Sequence, residues 1–286
     1  MTKAATEKDR LVETLVEAGV SRAVARKAEI LSWSKDDPRA NERVHAATNT
    51  LLLDLLRADD VGKCIHVTGG ARALTDPFHR QICEEMQTDD KAPFQVLYHV
   101  PDSVARDGWG VVKWNLNNWE RKGFLDWKQK LRTLRMIGKK AVDLKAFDER
   151  SKIQFSVFGH RYAQVQGQHG DQDPAKYVWL IRSESVNGLL SASAETDLTK
   201  SADVDESVFS EVVSTIFSNS ARAILKKISS ASTISREDIL SDKVFEMIDP
   251  NPGVTLEALR VISFVSSNER GNLMLTDDGA EFYRAT

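Results

Sequence analysis

Three features of the sequence predict an α/β body with a helical N-terminal arm, followed by a small C-terminal α+β domain. Residues 1–60 carry apolar stripes at helical spacing. From Val61, short alternating apolar runs trade with helical stripes, as in a body layered from strands and helices. After the polar, acidic stretch Ser201–Glu206, short helix signatures end in a strand and a last helical turn. A chain of 286 residues exceeds what one core usually serves, which favours the division 1–60, 61–205 and 206–286.

In the arm, Leu11, Val12, Leu15 and Val16 make an i, i+4 stripe closed by Gly19, and Val24, Ala28 and Leu31 make a second after a Ser21 cap. A third helix is expected to open at Asp36-Asp37-Pro38 and to carry Val44, Ala47, Leu51 and Leu55. In the body, Cys64–Thr68 reads as a strand ending in Gly69-Gly70. Asp76-Pro77 opens a helix with Phe78, Ile82 and Met86 on one face, and Phe94, Val96, Tyr98 and Val100 alternate as the next strand. Such a strand-helix-strand unit favours a parallel pair. Phe124, Trp127, Leu131 and Leu134 recur at helical spacing up to Gly138. Val142–Ala146 and Ile153–Val157 alternate as strands, and Gly159-His160 stands where a two-residue hairpin turn belongs, before a return through Tyr162–Gln166. Tyr177–Ile181 makes one more strand, and Ser183 caps the helix after it.

Beyond the junction, Phe209, Val212 and Ile216 mark a connecting helix and Ala221–Ile228 a short second one, while Ser235 with Asp238 reads as a capping box. Pro252-Gly253 reads as a turn, Thr255 as the cap of a helix through Val265, and Asn268–Asn272 as a turn. Leu273–Leu275 follows as a strand and Thr276 caps the final helical turn.

Composition narrows the function classes. No uncharged apolar run approaches the ~20 residues of a spanning helix, and the polar N-terminus lacks an apolar signal core, so a cytoplasmic chain without a membrane partner is expected. Cys64 and Cys83 form no CxxC pair, and His45, His66, His79, His99, His160 and His169 have no ligand spacing, so no disulfide framework, metal or cofactor is expected. The formal net charge of −3 hides an asymmetry: Val111–Lys140 holds nine Lys/Arg against Glu120 and Asp126, so that window is +7 and the remainder −10.

Three short helices, a polar turn and a strand running into Leu-Met-Leu-Thr-Asp-Asp-Gly resemble a winged helix-turn-helix over Ala221–Thr286. The resemblance implies a third helix in the DNA major groove with Arg260 at the bases, and a wing carrying Asn268, Arg270 and Asn272 along the backbone. The body resembles one half of a phospholipase-D-like domain. Its strand-helix-strand start, further strand, hairpin around Phe155–Val165 and closing strand plus helix carry that likeness. In that superfamily the hairpin bears a His-x-Lys-x4-Asp motif; here Ser151, Ile153 and Phe158 stand at its three positions. The resemblance therefore implies a degenerate half without a covalent nucleophile or phosphate clamp, hence no phosphodiesterase chemistry and no catalytic residues. Such halves serve as ligand-sensing or dimerising domains in regulators of the TrmB type, where the winged helix precedes the body instead of following it. A homodimer is implied, because superfamily members pair two halves and this chain has one.

Two local features suggest binding. Thr68, Gly69, Gly70 and Arg72 follow a strand, where glycine-turn N–H groups and a guanidinium can hold an anion, although Gly-Gly is also simply a tight βα turn and the expected helix starts only at Pro77. The Trp-rich basic segment, with Lys128, Arg132 and Arg135, has the stacking faces and cations of a nucleic-acid surface, although Trp127 shares the apolar stripe of Phe124 and Leu131, which means core. The C-terminal 66 residues hold eight Lys/Arg against ten Asp/Glu, a poor match to a phosphate-binding surface. The resulting expectation is a non-catalytic regulatory protein, a transcriptional regulator contacting DNA through its winged helix. The alternative is an accessory protein that docks a partner protein or RNA through the winged helix and basic Trp-rich face.

Overall fold

The structure is a computed structural model and describes residues 6–36, 46–58, 64–68, 94–120, 126–138, 142–147, 153–168, 176–231 and 233–286. In chain order its elements begin with α1 (Glu7–Glu17), α2 (Arg22–Ala25), β1 (Glu29–Asp36), α3 (Ala46–Ala58), β2 (Cys64–Thr68) and β3 (Phe94–His99). Then come α4 (Asp102–Ala105), α5 (Trp109–Glu120), α6 (Trp127–Gly138), β4 (Val142–Phe147), β5 (Gln154–Phe158), β6 (Tyr162–Gln168) and β7 (Lys176–Arg182). The chain continues with α7 (Glu184–Lys200), β8 (Ala202–Asp203), α8 (Ser207–Ile216), α9 (Asn219–Ser230) and α10 (Arg236–Leu240). It closes with α11 (Lys243–Ile248), α12 (Pro252–Val261), β9 (Val265–Ser267), β10 (Leu273–Leu275) and α13 (Asp277–Ala285).

These elements form two compact units: Met1–Asp102 with Ala141–Val204, and Ser103–Lys140 with Asp205–Thr286. The segment expected inside the body, residues 103–140, thus belongs with the C-terminal part, and the arm belongs with the body.

The first unit is α/β, built on a mixed eight-stranded sheet of order β1-β7-β6-β5-β2-β3-β4-β8. β2, β3 and β4 run parallel and the other pairings are antiparallel. The parallel β2/β3 pair matches the expected unit; the helix expected from Pro77 lies outside the described residues. The hairpin turn has three residues, Gly159 to Arg161, between the paired Phe158 and Tyr162, with Gly159 at φ 57°, where a side chain is disfavoured.

Thr6 and Asp9 cap α1 reciprocally, and its stripe Leu11, Val12 and Leu15 is buried with Val165, Tyr177 and Trp179 on one sheet face, beside Val186, Leu190 and Ala194 of α7. The apolar stripe of the arm is therefore spent on the chain's own sheet. A Cβ at Gly167 of β6 would meet the Thr14 side chain, so this glycine sets how closely α1 approaches.

The second arm stripe is not a helix through Leu31. Only α2 forms, and Glu29–Asp36 is a strand zipped to β7, with Ile30 opposite Ile181 and Trp33 opposite Trp179. The spacing Val24, Ala28, Leu31 suits a helix, but a strand there pairs its backbone with the sheet, a tertiary gain that outweighs a weak helical preference. Asp36 ends β1; the helix start expected at Pro38 falls on residues 37–45, outside the described residues, and α3 is described from Ala46.

The second unit joins α5 and α6 to the C-terminal elements. Trp127 of α6 is buried with its ring edge-on to Phe264 (6.4 Å) and Phe282 (5.4 Å), which stack on each other at 4.5 Å. Lys130, its side chain only 4% exposed, reaches Asp278 of α13 at 3.1 Å. Serine 218, Ser235 and Thr276 cap α9, α10 and α13 through their side-chain oxygens. The third C-terminal helix differs from expectation: Asn251 caps it, Pro252 is its first residue, and it stops at Val261, so Val265 begins β9, which pairs with β10. Thr255 is not a cap but an interior helix residue whose hydroxyl donates to Asp249 at 2.5 Å.

The Leu275-Thr276-x-x-Gly279 string has a physical reason. The Thr276 hydroxyl accepts from the Gly279 N–H at 3.0 Å and donates to the Ser263 carbonyl at 2.6 Å, and a Cβ on Gly279 would run into the Phe264 carbonyl. Gly279→Ala is expected to destabilise the second unit by about 1–3 kcal/mol through this overpacking, read as an earlier urea midpoint in the aromatic signal of the full chain.

Candidate functional site

The C-terminal unit presents an unusual surface around α10, α11 and the start of α12. Ser235 and Asp238 form the capping box that opens α10. Asp242 then accepts from the Val244 N–H at 2.8 Å and pairs with Lys227 of α9, which fixes the start of α11. Phe245 is the residue of α11 that turns into the core, and this rotation leaves Val244, Met247 and Ile248, at i, i+3 and i+4 spacing, facing outward. The buried Asp249 carboxylate accepts from the Asn251 N–H at 2.8 Å and from the Thr255 hydroxyl, holding the bend into α12. Leu240 lies beside Gly253, within 3.5 Å of where its Cβ would be. The outcome is five exposed apolar side chains on three short neighbouring helices: Leu240 (38%), Val244 (54%), Met247 (80%), Ile248 (47%) and Val254 (38%). Arg236–Glu257 carries Arg236 and Lys243 against Glu237, Asp238, Asp242, Glu246, Asp249 and Glu257, a net charge of −4.

A cleft of about 270 Å³ opens at the other end of α12. Lys113 and Asn117 of α5 line it opposite Glu257 and Arg260, together with Ser263, Ser266 and Thr276. Ser263 follows α12 at φ 64°, the left-handed conformation that ends a helix and that glycine adopts most easily. Its N–H donates to the Arg260 carbonyl at 3.0 Å and the Phe264 N–H to the Leu259 carbonyl at 2.9 Å. Arg260 has one ion pair, to Glu257 at 3.7 Å, and Lys113 has none among the described residues.

The residues expected to hold nucleic acid all fall in the second unit, but several are occupied. Lys128 pairs with Glu281 at 3.4 Å and lies over the Trp127 ring at 5.2 Å, and the Arg135 guanidinium lies 4.8 Å over the Phe217 ring. Arg132 is exposed and makes no ion pair among the described residues. In the β9–β10 turn the Asn268 carboxamide oxygen accepts from the Arg270 and Asn272 N–H groups, both at 3.0 Å, so Asn268 shapes the turn; Arg270 is exposed and Asn272 partly so. Sequence reasoning counted Lys113 in the basic window but did not bring it to Arg260. The helical register of α5 could not do so without the fold.

In the first unit Thr68 ends β2, while Gly69, Gly70, Arg72 and Ser151 lie outside the described residues. Ile153 and Phe158 are buried. His66 and Ser156 face each other across β2 and β5 with Nδ1 and Oγ 2.6 Å apart, but both are buried, which suits a satisfied core pair better than a site open to substrate. No cluster of His, Cys, Asp and Glu suited to a metal occurs among the described residues, and none of their helices is long and apolar enough to cross a membrane. Comparison with protein-family models, with curated proteins and with solved structures returns no match.

Two outcomes follow from this geometry. Ser263→Gly should stabilise the unit by about 1 kcal/mol, the left-handed penalty of a residue with a Cβ, measured by urea unfolding. The Ser235 N–H and hydroxyl hold Asp238 below the usual carboxylate range, and the Lys227 hydrogen bond followed by the Val244 N–H does the same for Asp242. A carboxylate lowered on folding stabilises the fold above its unfolded pKa, and that contribution is lost as pH falls through the folded value. Melting should therefore weaken below about pH 4, and Asp242→Asn should make that acid loss shallower.

Proposed function

We propose that the chain is a non-catalytic regulatory protein in which a degenerate phospholipase-D-like body carries a winged-helix module that docks a protein partner. The strand order in the first unit supports the body's assignment, since parallel strands, an antiparallel hairpin and a closing strand plus helix follow one another. Apolar core residues at Ile153 and Phe158 fit the degenerate reading. Three helices, a two-stranded hairpin and a Thr-x-x-Gly turn support the winged-helix assignment.

One observation carries the docking reading: the five exposed apolar side chains from Leu240 to Val254. Contiguous exposed apolar surface with a polar rim marks association sites, and Met supplies an adaptable contact there. A helix that read DNA would need cations along its outer face. α12 instead turns out Val254, Glu257 and Arg260, which sum to no charge, beside an acidic neighbourhood. An apolar surface of this sign is complementary to a partner segment that is apolar on one face and carries Lys or Arg at its edges.

The test titrates the full chain with a Leu/Lys amphipathic helical peptide, with its Leu/Glu counterpart and with a mixed-sequence DNA duplex, following fluorescence anisotropy. The Leu/Lys peptide should bind, and Val244→Asp with Met247→Asp should weaken it about tenfold or more, the loss typical of anchor residues. Equal binding of the two peptides would remove the complementarity argument. Tight duplex binding whose salt dependence flattens when Lys128, Arg132 and Arg135 are replaced would overturn the docking reading in favour of DNA.

A further inference from the structure

The cleft between α5 and the C-terminal end of α12 is separate from the apolar patch and calls for a ligand of its own. We infer that it binds the phosphate group of a small phosphorylated ligand, with Lys113 and Arg260 as the charge partners and the Ser263 and Ser266 hydroxyls as donors to its oxygens. Four properties of the cleft lead to this. Its two cations come from helices distant in sequence and face one space, Lys113 with no ion pair among the described residues and Arg260 with a single loose one at 3.7 Å. With Glu257 as the one carboxylate of the lining, the cleft carries a net positive charge, and a guanidinium and an ammonium together suit a phosphate.

The end of a helix normally presents carbonyls that would repel an anion. Part of that repulsion is removed here: of the helix-end carbonyls Leu259 accepts from the Phe264 N–H and Arg260 from the Ser263 N–H, and just beyond the helix Ser263 accepts from the Thr276 hydroxyl and Phe264 from the Thr276 N–H. The electrostatic objection to an anion at this helix end is thereby weakened. Ser263 keeps a left-handed backbone, φ 64°, at a place where glycine would sit without strain, and a serine there brings a hydroxyl to the cleft. Strain of this type clusters at ligand sites, where the surrounding structure holds it in place. The fourth property is size: about 270 Å³ admits a phosphate or pyrophosphate with a small body, at the lower edge of ordinary ligand cavities. Glu257 shares the cleft and would exchange its loose contact with Arg260 for solvent when the anion enters.

The same oxygens could come from a nucleic-acid backbone, so the experiment separates the two sources. The full chain is titrated with inorganic pyrophosphate by calorimetry at constant ionic strength, with sodium sulfate as a control for nonspecific anion effects and a mixed-sequence DNA duplex as competitor. The expected result is saturable pyrophosphate binding, stronger than sulfate, that falls about tenfold in each of Lys113→Gln and Arg260→Gln, the value of one charge-assisted contact. Both side chains are exposed, so these variants retain their fold, which the melting temperature verifies. Ser263→Gly gives an independent reading: it should melt higher and yet bind pyrophosphate more weakly. Pyrophosphate affinity unchanged in the Lys113→Gln, Arg260→Gln pair, or no saturable binding at millimolar concentration, would overturn the site. A duplex that binds the cleft while pyrophosphate cannot displace it would assign the anion to a nucleic-acid backbone and overturn the small-ligand assignment.

Discussion

The second unit rests on the packing of Trp127 against Phe264 and Phe282. A tryptophan buried edge-on to two stacked rings removes a large apolar area from water and adds the preference of aromatic pairs for this geometry, about 0.5–1.5 kcal/mol per pair beyond burial. Lys130 reinforces the same seam from one helical turn away by placing its ammonium on Asp278. These contacts tie α6, which leaves the sheet after β3 and returns to it at β4, to the helix that ends the chain. A parallel strand pair always requires a crossover, since the chain must travel back before it can run in the same direction again. Here the crossover between β3 and β4 is not merely packed away. It supplies two helices of a second core, and one of them, α5, forms a wall of the cleft beside Arg260.

That arrangement gives α12 two different ends. Its N-terminal turn belongs to the apolar patch through Val254, and its C-terminal turn belongs to the cleft through Arg260 and the strained Ser263. Both ends are fixed by polar anchors that point inward, Asp249 with Thr255 at the start and Thr276 with Ser263 at the finish. A helix held this way transmits little by bending. An anion in the cleft would act on the patch by changing the charge balance along one short rod, where Glu257 lines the cleft and closes the acidic stretch Arg236–Glu257.

Much of this was legible in the sequence because local chemistry dictated it. The strands Cys64–Thr68, Phe94–His99 and Leu273–Leu275, the Ser235–Asp238 capping box, the Ser183 cap and the Thr276 cap each follow from residue types at fixed offsets. The core role of Trp127 followed from its place on an apolar stripe. What local patterns could not decide was settled by partners far away in the chain. Glu29–Asp36 became a strand because β7 was available to pair with it, and residues 103–140 left the body because their aromatic and basic side chains found Phe264, Phe282 and Asp278. Thr255 resembled a cap since it stands near a Pro-Gly pair, yet the asparagine before that pair does the capping and leaves the threonine hydroxyl to a buried carboxylate. The apolar patch was invisible for a related reason. Val244, Met247 and Ile248 look like the inner face of a helix until the single ring of Phe245 takes that place.

Lys130 and Asp278 are separated by 148 positions. At about 5–20 residues per second of synthesis, Lys130 would emerge roughly 7 to 30 s before its partner Asp278. The first unit, complete at Val204, can close its sheet within that interval and α8 can settle on α6, while Trp127 waits for Phe264 and Phe282. The order of manufacture thus leaves a window in which a half-built aromatic core is open to other chains. A cell making this protein has reason to keep a holdase or the ribosome's own surface close to it until the last helix arrives.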